Sequence, residues 1–241
     1  MKKMLFGLLL STVLPASASA PATPGTTFYV IALTGSDVHA QPSFAAKVVR
    51  RLPLGAGVQA RQTIASTEVQ RIGADLALPG NWIKVTTPAY TGYLFSADLT
   101  ARKPVVKKSH HGMAYIDLLG AKKSSRTEKE KVAAGPNIPP GAYATKDITE
   151  YANGTATTTS FDGCFAHAYA FRQLALNEVY HHLISSYAGL EGQTLRQPKL
   201  VSRKGNVYTF SCGFGESDAA QELQLTVQRN GTFVISSYDC T

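Results

Sequence analysis

The sequence lacks any apolar run of about 18 residues or more, so no helix is expected to span a membrane. Three cysteines in 241 residues are too few for a scaffold held mainly by disulfides. Charged residues are scarce at 17% while hydrophobic ones reach 44%, which excludes wholesale disorder and leaves material for a sizeable core. Also missing are a Gly-rich phosphate loop, a Ser-nucleophile elbow and a paired-carboxylate motif. No reaction can be named from such a chain, and neither a cofactor nor a metal is expected.

What is present begins with an address. Lys2 and Lys3, an apolar stretch over 5–14 and the small residues Ala18-Ser19-Ala20 read as a secretory signal over 1–20. The remainder is expected to be exported, periplasmic or extracellular, and the absence of cysteine beside the cleavage site excludes a lipid anchor there. The formal charge of +8 is unevenly spread, with nine basic and three acidic residues inside 102–131. Residues 101–141 therefore read as a basic flexible linker, open to weak contact with anionic envelope polymers through 102–131. An exported chain gives little reason to expect nucleic acid as a partner. Within the linker, 113–119 is an apolar island expected to form a short helix or to dock on a neighbour.

Residues 27–100 carry all-β signals. Aromatic and β-branched runs at 28–31, 48–52, 58–64, 82–85 and 93–95 are punctuated by Gly35, Pro53, Gly55 and Gly92, which fits a small barrel or sandwich of short strands. Asp37-Val38-His39-Ala40-Gln41-Pro42-Ser43, Lys47-Val48-Val49 and Leu54-Gly55-Ala56-Gly57 resemble the opening of a bacterial SH3 (SH3b) domain. Asn81-Trp82-Ile83-Lys84-Val85, Thr91-Gly92-Tyr93-Leu94 and Ser96-Ala97-Asp98-Leu99 are similar to that family's Trp-centred strand, closing strand and final turn. Ala40, Gln41 and a long stretch over 66–79 depart from the pattern. The resemblance, over 28–99, implies an SH3-like barrel that binds a cell-wall peptide or an envelope protein. Tyr90, Tyr93 and Trp82 are the candidate binding residues, with Trp82 also fitting a core position in the middle of its alternating strand.

Residues 142–241 read as an α+β domain of antiparallel hairpins packed on one helix. Asn153-Gly154, Asp162-Gly163 and Asn230-Gly231 are expected two-residue hairpin turns. With Phe161 opposite Cys164, the residues Phe165, His167, Tyr169 and Phe171 share a face. With Arg229 opposite Thr232, Leu223, Leu225, Val227, Val234 and Tyr238 share another. The helix is expected from an Asn177 cap to Gly189, with Val179, Leu183, Ile184 and Tyr187 as its apolar stripe. Tyr208, Phe210 and Phe214 are expected on a further strand's inner face.

All three cysteines lie in this half. Cys212 falls mid-strand among aromatics, whereas Cys164 and Cys240 sit at strand ends, and a bridge between those two is expected. The competing use of Cys164 is as a nucleophile, with His167, His181 or His182 as base and Glu178 as a further polar partner. Asp162 close by disfavours a thiolate, and Glu178 at the helix start is suited to the helix dipole. His181 and His182 point about 100° apart on a helix, unlike a metal-binding i, i+4 pair. The sequence thus favours a non-catalytic, two-domain envelope protein whose tethered modules act bivalently, the alternative being a secreted wall hydrolase or peptidase with its site in the C-terminal half.

Overall fold

A computed structural model describes residues 23–73, 75–108, 113–135, 138–212 and 221–240. The signal expected over 1–20 and the inward Phe214 lie outside these residues.

The N-terminal strands are β1 (Thr27–Val30), β2 (Ser36–His39), β3 (Val48–Leu52), β4 (Gly57–Ile64), β5 (Val69–Arg71), β6 (Ala77–Pro79), β7 (Trp82–Thr86), β8 (Thr91–Phe95) and β9 (Leu99–Thr100). Seven of them form one antiparallel sheet in the order β3-β2-β8-β7-β4-β1-β9. The long stretch over 66–79 is folded back as a ribbon of its own, β5 on β6. A 3-10 turn, Ser96–Asp98, leads from β8 into β9.

Next come β10 (Val105–Lys108), β11 (Ala114–Asp117), β12 (Lys122–Lys131), β13 (Tyr143–Tyr151), β14 (Gly154–Phe161) and β15 (Cys164–Phe171). The α-helix α1 (Leu176–Tyr187) is the only one among the described residues. After it lie β16 (Gly189–Glu191), β17 (Thr194–Arg196), β18 (Lys199–Lys204), β19 (Val207–Ser211), β20 (Gln221–Val227) and β21 (Phe233–Cys240). An eight-stranded antiparallel sheet runs β12-β13-β14-β15-β21-β20-β19-β18. The molecule is therefore mostly β, with several antiparallel sheets around one helix.

The flexible linker expected over 101–141 is corrected by three strands. β10 pairs with β11, and β12 pairs with β13 from Lys122↔Tyr151 to Lys131↔Tyr143 as an edge of the large sheet. The polar composition shows in the side chains alone: all ten residues of β12 are exposed and add nothing to the core. Backbone pairing is what orders them. The apolar island docks, with Ile116 buried and its N–H donating to Ser185 Oγ of α1 at 2.6 Å.

Nor do two independent cores exist. One cluster runs from Ile31, Leu78, Trp82 and Phe95 of the first half to Ile116, Phe171, Leu183, Phe210 and Ile235 of the second. A smaller cluster of Val30, Val38, Ile83, Val85 and Leu94 lies within the N-terminal sheet.

The three turns fared differently. Asp162 and Gly163 have φ of 49° and 76° and join Phe161 directly opposite Cys164, the two-residue turn expected of this dipeptide. Gly154 belongs instead to β14, and its lack of a side chain is used there, since a Cβ would lie 2.4 Å from the carbonyl oxygen of Ala170 on the neighbouring strand. Ala152 and Asn153 make that turn, and Asn153 Nδ2 donates to the Leu118 carbonyl at 2.8 Å.

At the third turn, Gln228 N–H donates to Thr232 O at 2.8 Å and Gly231 takes φ of 81°, so the loop has three residues. The register slips by one, and Val227 faces Phe233, not Val234. Leu225 then faces a buried Ile235, while Tyr238, expected inside, is 38% exposed.

The helix starts after Ala175, two residues earlier than expected, and Asn177 is not its cap. Asn177 lies buried in the first turn, and its Nδ2 donates to the carbonyls of Ala97 and Leu99, each at 3.1 Å. Glu178 Oε2 accepts the Ala175 N–H at 2.8 Å, which satisfies one of the orphan donors at the helix start.

Candidate binding cleft

α1 lies between the two sheets and is buried along most of its length, including both histidines. His182 turns toward β11, where its Nδ1 accepts the Leu118 N–H at 3.4 Å. Burial beside Phe171 and Tyr169 pushes its pKa down to about 4, against the opposing pull of Asp117 and with a small push from Lys107. His181 turns the other way, and its Nε2 lies 3.1 Å from the Ala97 carbonyl and 3.5 Å from Asp98 Oδ1.

That second contact forms the floor of a cleft of about 520 Å³ between the N-terminal sheet and α1. Ser36 donates to Asp98 Oδ2 at 2.8 Å. Asp98 Oδ1 and Gln70 Oε1 are both buried, the first meeting only the long His181 contact and the second no well-formed hydrogen bond. Burial by itself would raise the Asp98 pKa, but His181, Ser36 and Gln70 around the carboxylate hold it below the ordinary value. Tyr180, also on the wall, has its pKa pushed up to about 12 by burial and by the Asp98 charge. Leu33, Ile72, Phe95 and Ile184 bring apolar groups to a lining that is otherwise largely polar. At the rim Phe44 is 40% exposed and Val48 44%, and Arg51 is paired with Asp37 at 3.1 Å.

The residues expected to bind are placed otherwise. Trp82 is 1% exposed and its Nε1 donates to Glu68 Oε2 at 2.7 Å, so it offers no surface platform. Its ring instead supports Phe44, whose centroid is 5.0 Å away, and Phe95, at 5.2 Å. Tyr93 is half-buried against the large cluster, whereas Tyr90 packs on the smaller one under the Arg50 guanidinium. The three do not converge on one surface.

The catalytic alternative does not assemble either. Cys164 and Cys240 face each other across β15 and β21 in a disulfide with S–S of 2.05 Å, which agrees with the expected bridge and removes the thiol. Cys164 and His167 are three residues apart on a strand and project from opposite faces. Glu178 is elsewhere, accepting the Thr100 hydroxyl and lying 3.8 Å from Arg102 Nε. Cys212 is buried and outside the bridge.

His167 does join a hydrogen-bonded row, with Thr158 Oγ1 at 3.1 Å from its Nδ1 and Asp239 Oδ1 at 3.0 Å from its Nε2. A hydroxyl, an imidazole and a carboxylate are in line, but β14 and β15 are paired along both edges and leave no free backbone N–H there to stabilise an oxyanion. Among the described residues no group of three His, Cys, Asp or Glu side chains is placed to hold a metal ion, and no helix is long and apolar enough to cross a membrane.

Sequence reasoning passed over Asp98, Gln70 and Ser36 because each is an unremarkable polar residue in its own segment. Ser36 and Asp98 meet across 62 positions, and His181 reaches Ala97 across 84. Only the buried side of the helix, carrying a histidine beside its apolar stripe, pointed toward them. No family model matches the chain, and no curated protein or solved structure matches it.

Proposed function

We propose that this chain is an exported, non-catalytic envelope protein that binds a cell-wall peptide, or a protein segment like one, in the cleft between its N-terminal sheet and α1. The observation that carries the reading is the pairing of an exposed apolar rim, Phe44 and Val48, with a buried polar floor at Asp98, Gln70 and Ser36. Concave sites of this kind bury a ligand's apolar surface while a few convergent polar groups fix its orientation. The SH3b resemblance over 28–99 supports a wall ligand, and the disulfide supports an oxidising compartment outside the cytoplasm. Both halves of the chain line the cleft, so binding draws on one composite site in place of two tethered ones.

Titration calorimetry of the secreted chain, with its disulfide intact, against soluble wall tripeptides tests the reading. Saturable binding is expected, weakened about tenfold or more by Phe44→Ser, since a rim aromatic contributes buried area at small entropic cost. Absence of heat with every wall peptide, or hydrolysis of the peptide during the titration, would overturn it.

A further inference from the structure

Two buried oxygens in the cleft floor are left without a well-formed hydrogen bond. Asp98 Oδ2 is occupied by the Ser36 hydroxyl, but Oδ1 lies only beside a His181 nitrogen that also faces the Ala97 carbonyl. Gln70 Oε1 is the second orphan, on a side chain that also bears on Asp98. Leaving buried acceptors unpaired is costly, and most of all for a carboxylate. The nearest full cation on the rim, Arg51, is engaged by Asp37. Leu33, Phe95 and Ile184 bring aliphatic and aromatic groups to the lining of the same cleft. Such a lining fits a chain of methylene groups ending in a cation, as long basic side chains lie along apolar surface with the charged head on polar partners.

We propose that the cleft recognises a side-chain primary ammonium, seated between Asp98 Oδ1 and Gln70 Oε1 with its alkyl stem along Leu33, Phe95 and Ile184. The assignment rests on the binding reading above and names the group read there. Both oxygens are closed to bulk water, so the ammonium enters by parting the Gln70 side chain from Asp98 and then bridges the two. Ammonium-to-carboxylate hydrogen bonds are among the strong ones, and acetylation of the amine removes both the charge and two of its donors.

The test uses the intact secreted chain and the tripeptide L-alanyl-γ-D-glutamyl-L-lysine, acetylated at its α-amine, with the lysine Nε either free or acetylated. The free amine is expected to bind about tenfold or more tighter than the acetylated form. Asp98→Asn should erase that difference, and Gln70→Ala, which removes one of the two acceptors, should weaken binding of the free amine about threefold. Should Asp98→Asn fail to fold, the comparison of the two peptides and the Gln70→Ala response still decide. Equal binding of both peptides would sink the ammonium assignment while leaving the cleft as a binding site. Binding of neither would remove the site itself, and an unchanged or stronger affinity in Gln70→Ala would overturn the seat between the two oxygens.

Discussion

The eight-stranded sheet has two ends built on different principles. From β15 through β21, β20 and β19 it contributes Phe171, Ile235, Leu223, Leu225, Tyr208 and Phe210 to the core. From β12 through β14 it buries only Ala144 and Ile148, both on β13. The far end is held by backbone ladders, with one register shift between Lys122 and Ser124, and by exposed pairs such as Lys146–Glu130 and Arg126–Glu150, each at 3.2 Å. Contacts of that kind contribute little individually, so the far strands are ordered by backbone pairing to a neighbour that is itself anchored. The charged outer strand also serves as a guard, since a row of Lys and Glu along an open edge discourages a second chain from pairing there.

If anchoring is confined to the helix side, damage there should be felt everywhere. Phe171→Ala, which empties a fully buried position against His182, is expected to cost about 4 kcal/mol in chemical denaturation. A loss below about 1 kcal/mol would mean that the core does not govern the fold. Next in size is the bridge at the border between the two ends. Replacing Cys164 and Cys240 together by Ala should lower stability by about 3 kcal/mol, with unchanged far-UV circular dichroism as the check that the ladder survives.

Acid should act on the anchored end as well. His182 is neutral when folded, with a pKa near 4 against 6.5 when unfolded. The unfolded chain takes up a proton that the folded one refuses, so stability is complete above pH 6.5 and falls as pH drops toward 4, by up to about 3 kcal/mol. Asp98, whose pKa is lowered by folding, adds a loss in the same direction below the ordinary carboxylate range. Denaturation midpoints measured from pH 7 to 4.5 should show the slope, and His182→Gln should flatten it. A flat profile in the native chain would remove His182 from the account. Smallest of all, Lys146→Ala at the far end should change stability by no more than about 0.5 kcal/mol. Hydrogen exchange sharpens the contrast, because amides of β12 should exchange orders of magnitude faster than those of β21.

Sequence patterning was legible wherever side chains decide the outcome. The strands at 48–52 and 82–86, the buried faces of Val179, Leu183 and Ile184, and the Cys164–Cys240 pair all follow from burial or from turn chemistry. It failed where the backbone decides. A ten-residue segment of Lys, Ser, Arg, Thr and Glu carries no apolar period and still forms β12, because a free sheet edge accepts almost any sequence. Asn230-Gly231 was correctly placed at a turn, but one extra loop residue inverted which side chains of β21 face inward. The cleft was illegible for another reason. Its floor joins a serine on β2, a glutamine on β5, the aspartate of the 3-10 turn and a histidine on α1, and no local spacing links them.

The adjacent histidines of α1 leave the helix on two sides, one toward Ala97 and one toward Leu118. The rod thereby works as a rivet through both plates of the molecule. Scissors applied anywhere between residues 101 and 142 would leave an oily wound on each piece, with Trp82 and Phe95 bared on one and Phe171 and Leu183 on the other. Neither fragment should stay in solution by itself, and limited proteolysis in that stretch should yield two products that travel together until denatured.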